Sequence, residues 1–147
     1  MSTLIEYATG DLLSASVDAL VNPVNTVGVM GKGLALAFKK RFPENFAAYR
    51  AADVVIGKMF VFERPIAPRW IINFPTKRHW RDASRLEDIQ AGLVDLVDQL
   101  RQREISSVAV PALGCGLGGL DWKDVRPLIV DACGAVRTMR VLLFAPG

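Results

Sequence analysis

The stretch Ser107-Val108-Ala109-Val110-Pro111-Ala112-Leu113-Gly114-Cys115-Gly116-Leu117-Gly118-Gly119-Leu120-Asp121-Trp122 decides the fold. Ser107–Val110 is a short β-branched run that reads as a strand, and four glycines follow it. After Asp121 a helical pattern begins, with Val125, Leu128, Ile129 and Ala132 on one face. Strand, glycine loop and helix in this order form a phosphate-binding layout. Backbone N–H groups without bulky side chains can close on an anion, and the positive end of the helix dipole adds to the attraction. A tight turn without a ligand needs only one glycine, so the other three point to close approach of something else. Gly114, Gly116 and Gly119 satisfy G-x-G-x-x-G, but that dinucleotide fingerprint belongs in the first βαβ unit with an acid about 20 residues on. Here a single strand follows, and the Rossmann reading fails on context.

Outward from this stretch, bounded apolar runs at Thr3–Tyr7, Ala19–Val21, Met59–Phe62, Trp70–Phe74 and Arg140–Phe144 read as further strands. Between them the clearest helix runs from Ser84 to Arg103, where Leu86, Ile89, Leu93, Leu96, Val97 and Leu100 recur at spacings of three and four. Ser84-Arg85-Leu86-Glu87 reads as its capping box. Other helices are expected from Gly33 to Arg41 and, entered through Pro43, from Glu44 to Ala52. Alternating strands and helices predict an α/β protein, a three-layer α/β/α sandwich around a mixed sheet, with ligands beyond the carboxyl ends of the parallel strands.

A second loop, Asn22-Pro23-Val24-Asn25-Thr26-Val27-Gly28-Val29-Met30-Gly31-Lys32-Gly33, also joins a strand to a helix. It is no Walker A motif, because Gly33 follows Lys32 and Thr26 stands where the first glycine belongs. Its two asparagine amides, small residues and helix N-terminus suit a ligand with hydroxyls and phosphates, or else serve local turn hydrogen bonding. Two such loops in one small chain imply a cleft for a ligand with at least two phosphates.

The chain has 147 residues, 51% hydrophobic and 22% charged, which suits one domain with one core and no disorder. No apolar run approaches the ~20 residues that span a bilayer. Residues 1–13 carry Glu6 and Asp11 and show no secretory signal pattern, so a cytoplasmic location is expected. Cys115 and Cys133 make a poor disulfide framework and are expected as free thiols. With one histidine and two separated cysteines no metal site is expected, and no cofactor. The net charge is +3, and Thr76-Lys77-Arg78-His79-Trp80-Arg81 alone supplies three cations with an indole and the histidine. Aromatic groups among basic ones suit single-stranded nucleic acid, so Arg78, His79, Trp80 and Arg81 are DNA-binding candidates, although an exposed loop is also basic for solubility. Cys115 as a nucleophile would need that lone histidine as its partner, and small size explains it better.

These residues together resemble the macrodomain, a fold that binds ADP-ribose. The resemblance rests on Gly10-Asp11-Leu12-Leu13, Ala19-Leu20-Val21-Asn22-Pro23-Val24-Asn25, Gly31-Lys32-Gly33-Leu34-Ala35 and Pro111-Ala112-Leu113-Gly114-Cys115-Gly116-Leu117, in the right order over nearly the whole chain. Gly31–Ala35, Asn73-Phe74-Pro75-Thr76-Lys77 and Leu120-Asp121-Trp122 look most like the branch of DNA ADP-ribosyl glycohydrolases. These are antitoxins to a DarT-like DNA ADP-ribosyltransferase toxin. A single monomeric macrodomain over 1–147 is expected, and because the chain ends at Phe144-Ala145-Pro146-Gly147, straight after the last strand, it reads either as the whole protein or as the N-terminal part of a longer one. Asp11 then accepts from the adenine amino group and Leu12 supplies a backbone donor. Gly114, Cys115, Gly116 and Leu117 wrap the diphosphate. Asn22, Asn25, Gly31, Lys32 and Gly33 hold the distal ribose, with Thr76 beside them. Lys77 becomes the catalytic residue. A lysine ammonium must lose its proton to attack or act as base, yet in the charged form it can stabilise a leaving group.

One departure concerns the related branch that removes ADP-ribose from protein glutamate. That branch has an acid in the glycine loop where Gly118 aligns, and no pair of carboxylates of the glycosidase kind can be nominated. Three functions compete: hydrolysis of ADP-ribose from thymidine in single-stranded DNA, recognition of ADP-ribose without cleavage, and hydrolysis of an ADP-ribosyl ester on protein.

Overall fold

The computed structural model describes residues 3–136 and 138–146; Met1, Ser2, Arg137 and Gly147, which the one-domain reading includes, lie outside the described residues. The strands are β1 (Leu4–Ala8), β2 (Ala19–Asn25), β3 (Phe60–Glu63), β4 (Trp70–Lys77), β5 (Ser107–Val110) and β6 (Arg140–Phe144). The helices are α1 (Gly33–Arg41), α2 (Pro43–Ala51), α3 (Leu86–Gln102) and α4 (Trp122–Gly134), with one-turn 3-10 helices at Leu12–Ser14 and Gly116–Gly118. One sheet has the order β1-β6-β5-β2-β4-β3; all neighbours are parallel except β3, which runs antiparallel to β4 at the edge. The expected mixed sheet is therefore present.

Both faces of the sheet are covered. Under α3 and α4, Val21, Ile72, Phe74, Val108, Val110 and Val141 pack with Ile89, Leu93, Leu96, Leu100, Val125 and Ile129. Each fully buried aliphatic or aromatic side chain contributes roughly 1.5–3 kcal/mol, so the three- and four-spaced face of α3 is its main anchor. On the other face, Leu20, Ile71 and Ala109 meet Phe38 and Phe42, while Val24 and Met30 meet Tyr49. Glu87 and Asp88 in the first turn of α3 and Arg101 in the last complement its dipole.

Two strands run further than their composition suggests. β2 continues through Asn22-Pro23-Val24-Asn25 and β4 through Pro75-Thr76-Lys77, because they pair in register from Ala19↔Trp70 to Asn25↔Lys77. β2 pairs with β5 only at Ala19↔Val108 and Leu20↔Ala109, so beyond Leu20 it has an unpaired side that tolerates a proline without an N–H. Divergence of β2 from β5 opens a crevice. The chain after β2 turns to α1 on one face, and the chain after β5 turns to α4 on the other, which is where α/β sheets bind ligands.

The capping box is not formed. Arg85, not Ser84, is the N-cap of α3, and no side chain caps it. Ser84 lies one residue outside, where the glycine loop captures it: its N–H donates to the Gly118 carbonyl at 2.9 Å. Its hydroxyl is buried without a partner.

Candidate functional site

Every predicted site loop leaves the carboxyl edge of a parallel strand, and the two glycine loops touch. A Cβ built on Gly33 would stand 3.1 Å from Leu117 Cδ1, and Gly33 adopts φ +60°, a left-handed backbone that suits glycine. Within the loop after β5, Gly114 and Gly116 also have positive φ. Their environments differ: a Cβ on Gly114 would meet Leu120 Cδ1 at 2.6 Å, while one on Gly116 meets nothing within 4 Å. Gly114 is needed for packing, and Gly116 borders open space. Gly116 and Leu117 head a one-turn helix, which leaves their N–H groups without a partner inside that turn. The α4 N-terminus takes no part in this, because the Asp121 carboxylate caps it by accepting from Lys123 N–H at 3.1 Å. An anion is left with the loop amides.

Lys77 closes the site. Its Nζ donates to the carbonyls of Leu117 at 3.1 Å and Trp80 at 3.4 Å. Gly118, one residue on, is buried; a Cβ there would lie 2.5 Å from Ser84 Oγ and 3.9 Å from Lys77 Cε. Any side chain at that position would have to displace Ser84, which gives the missing carboxylate a steric reason. Ser84 carries no sequence signal for this role, because its spacing to Glu87 fits a helix cap.

Asn25 and Asn22 belong to β2 rather than to a loop. Asn25 Oδ1 accepts from the N–H groups of Val27 and Val29, its Nδ2 donates to the Val29 carbonyl at 2.7 Å, and the Tyr49 hydroxyl donates to Oδ1 at 2.9 Å. This fixes the β2–α1 loop. Asn22 is fully buried, its Nδ2 3.0 Å from Asn73 Oδ1, and Asn73 in turn bonds Asn45 and the Phe60 carbonyl. Thr76 is buried too, its hydroxyl donating to the Val24 carbonyl. Through these bonds Asn25 holds the β2–α1 loop, Asn22 ties β2 to Asn73 of β4, and Thr76 ties β4 back to β2. Tyr49 and Asn45, one turn apart on α2, are contributors that sequence reading missed; their signal is a polar pair at helical spacing in an otherwise apolar stripe.

Asp11 is exposed and caps the Leu12–Ser14 turn, accepting from Leu13 N–H at 3.1 Å and the Ser14 hydroxyl at 2.8 Å. Gly31 and Lys32 are exposed at the entrance to α1. Burial, then the nearby Asp121 charge, raises the Cys115 thiol above its usual value, so it stays protonated rather than nucleophilic. The Cys133 thiol is pushed by burial up to about 12.

In the basic loop, the Arg81 guanidinium stacks 4.5 Å from the Trp80 ring centroid, and His79 lies 5.1 Å from that ring. His79 Nδ1 accepts from Arg81 N–H at 3.0 Å. Arg78 differs from its neighbours, because it pairs at 3.2 Å with the buried Asp88 of α3. That pair anchors the loop and leaves Trp80 and Arg81 as its free face.

A six-stranded mixed sheet covered by helices on both faces, with two glycine loops meeting across its crevice, defines a three-layer α/β domain. The macro domain pattern matches residues 21–129, and the chain belongs to that family. It is 52% identical over 97% of its length to a Mycobacterium tuberculosis protein named DNA ADP-ribosyl glycohydrolase, of which it covers 42%. The chain thus spans less than half of that relative. The solved macrodomain of M. tuberculosis DarG superposes with a TM-score of 0.96 at 51% identity, covering 98% of this chain and 99% of that one. Thermosipho africanus DarTG in complex with ADP-ribose superposes with a TM-score of 0.92 at 35% identity, covering 97% of this chain and 42% of that one. Among the described residues no helix is long and apolar enough to cross a membrane.

Proposed function

We propose that the chain is an ADP-ribosyl glycohydrolase that removes ADP-ribose from thymidine in single-stranded DNA, working in the cytoplasm as a monomeric antitoxin against a DNA ADP-ribosyltransferase toxin. The observation that carries this reading is the Lys77 ammonium held on the Leu117 carbonyl, at the lip of the glycine loop and beside the free Trp80–Arg81 face. The relatives named DNA ADP-ribosyl glycohydrolase support it.

In this reading the diphosphate sits on the Gly114 to Leu117 loop, against the Gly116 and Leu117 amides because the Cys115 N–H donates to the Ala112 carbonyl; Asp11 and Leu12 take the adenine, and the β2–α1 loop through Gly33 takes the distal ribose. Asn22, Asn25 and Thr76 set the positions of that loop. Hydrolysis breaks the bond between the anomeric carbon of that ribose and the base; water supplies hydroxyl to the carbon and a proton to the base. Lys77 either attacks the anomeric carbon or neutralises the charge that develops on the departing base. Trp80 and Arg81 take the strand by stacking and charge.

The ester-hydrolase alternative is disfavoured by the Ser84 hydroxyl filling the place of a loop carboxylate. The test is incubation with ADP-ribosylated single-stranded DNA and ADP-ribosylated protein side by side. Release of ADP-ribose from the DNA alone is expected. Release from protein alone sinks the reading, and release from neither leaves a module that binds without cleaving.

A further inference from the structure

We propose that the outer side of the β2–α1 loop, backed by α1 and α2, is the track on which the single strand continues past the modified nucleotide. It rests on the glycohydrolase reading and extends the strand beyond the Trp80 loop to the opposite side of the cleft.

A groove of about 440 Å³ runs there, lined by Val27, Val29, Lys39, Phe46 and Arg50. Val27 and Val29 are 48% and 39% exposed, yet they sit on a loop that Asn25 and Tyr49 hold rigid. Apolar side chains kept in water by a preorganised loop mark a contact surface, because little ordering entropy remains to be lost on binding. Phe46 adds an aromatic ring, with Lys39 Nζ 4.6 Å from its centroid.

Charge selects the occupant. From Lys32 to Arg50 the chain carries Lys32, Lys39, Lys40, Arg41 and Arg50 against Glu44 alone, and none of these has an ion-pair partner among the described residues. The overall balance outside the Lys77 loop therefore hides a second basic segment, compensated by acids such as Glu87, Asp95 and Asp98 on α3, across the sheet. Cations interleaved with apolar and aromatic surface fit phosphates and base faces. The groove also joins the reaction site. Thr26 N–H donates to the Lys77 carbonyl at 3.1 Å and its hydroxyl to the Arg78 carbonyl, and Val27 is the next residue.

The test pairs two measurements on wild type, the Lys39→Glu/Arg50→Glu variant and the milder Lys39→Gln/Arg50→Gln variant. Binding of an unmodified oligothymidylate of about 16 nucleotides is followed by fluorescence anisotropy across salt concentrations. The charge reversal should weaken binding at least ~10-fold, and each variant should lower the salt slope by about 1.4, two phosphate contacts at ~0.7 each. Hydrolysis of an ADP-ribosylated mononucleotide, too short to reach the groove, should be unchanged. Unchanged oligothymidylate binding overturns the track, as does an equal loss on the mononucleotide, which signals general damage. Wild type that cleaves no ADP-ribosylated nucleotide overturns the glycohydrolase reading instead, while the anisotropy arm still decides whether the groove holds a strand.

Discussion

The Lys77 ammonium donates to the Leu117 carbonyl oxygen at 3.1 Å, tying the end of β4 to the glycine loop that leaves β5. A second acceptor, the Trp80 carbonyl at 3.4 Å, holds the same group from its own loop. Two of the three ammonium N–H groups are thereby directed at backbone, and the third remains for a ligand. A flexible side chain restrained in this way has lost much of its rotamer freedom before substrate arrives. Strand, glycine loop and basic loop meet at one nitrogen.

Replacing that nitrogen should separate binding from chemistry. Lys77→Ala is expected to leave ADP-ribose affinity nearly intact while single-turnover hydrolysis falls by at least ~10²-fold. Lys77→Arg keeps the charge but cannot attack, so it should rescue little if the amine bonds to the anomeric carbon and much if it only stabilises the leaving base. Little rescue is expected. An attacking amine passes through an imine when the sugar ring opens, and borohydride during turnover should then leave a reduced adduct on Lys77, detectable by mass. Full activity in Lys77→Ala removes the residue from the reaction.

Asp11 has two jobs that substitution can divide. It caps the Leu12–Ser14 turn and, in the proposed complex, accepts from the adenine. Asp11→Ala should lose about 1 kcal/mol of stability with the cap and a further 1–3 kcal/mol of ADP-ribose affinity. Asp11→Asn keeps a capping oxygen and should lose affinity with little change in stability. Calorimetric titration and thermal unfolding of both variants decide it; unchanged affinity in both places the adenine elsewhere.

β5, β6 and α1 were legible because most of their boundaries are local: Pro111 ends β5, Arg140 opens β6, and Gly33 and Arg41 bound α1. The far halves of β2 and β4 were not, since Asn22-Pro23 and Pro75 read as breakers until the register between the two strands is known. Tertiary pairing overrides that local preference. The candidate site was legible where it is built from backbone, in the glycines of positive φ, and where a motif marks a side chain beside them, as with Lys77. Tyr49 and Ser84 were illegible because their roles come from long-range contact: α2 carries a hydroxyl to Asn25, and the approach to α3 lays a serine under Gly118.

The two loop glycines should fail differently. Gly114→Ala forces a methyl toward Leu120 and Ser84 in a buried turn and should cost stability, seen as a lowered Tm. Gly116→Val points into open space and should chiefly abolish ADP-ribose binding, apart from roughly 1–2 kcal/mol of backbone strain at φ +63°. Normal binding by a folded Gly116→Val variant puts the diphosphate elsewhere.

Ser84 offers the converse case, a buried hydroxyl with no partner. Removing it leaves nothing unsatisfied, so Ser84→Ala should be neutral or more stable by up to about 1 kcal/mol in urea unfolding. It also clears the oxygen that a Cβ at residue 118 would strike, so Gly118→Ala should be less damaging in the Ser84→Ala background than alone. Equal costs in both backgrounds break the link between Ser84 and the absence of a side chain at Gly118.

Tyr49 gives the pH dependence. Burial raises its hydroxyl from 10.0 to about 12, against the hydrogen bonds around it, which act to lower it. Between those values the unfolded chain has released the phenolic proton and the native chain has kept it, so the native state binds more protons and stability falls as pH rises. The contribution is fully present below pH 10 and is lost through about pH 12, amounting to roughly 2–3 kcal/mol. Tyr49→Phe removes both the titration and the hydroxyl that donates to the Asn25 carbonyl at 2.7 Å and to its Oδ1 at 2.9 Å. The variant should be about 1–2 kcal/mol less stable than wild type at pH 8. That gap should close, then reverse, as urea unfolding is repeated from pH 10 to 12, because lysine titration affects both proteins alike and cancels in the difference. A gap that stays constant across this window means that Tyr49 titrates alike in both states and that its burial carries no pH dependence.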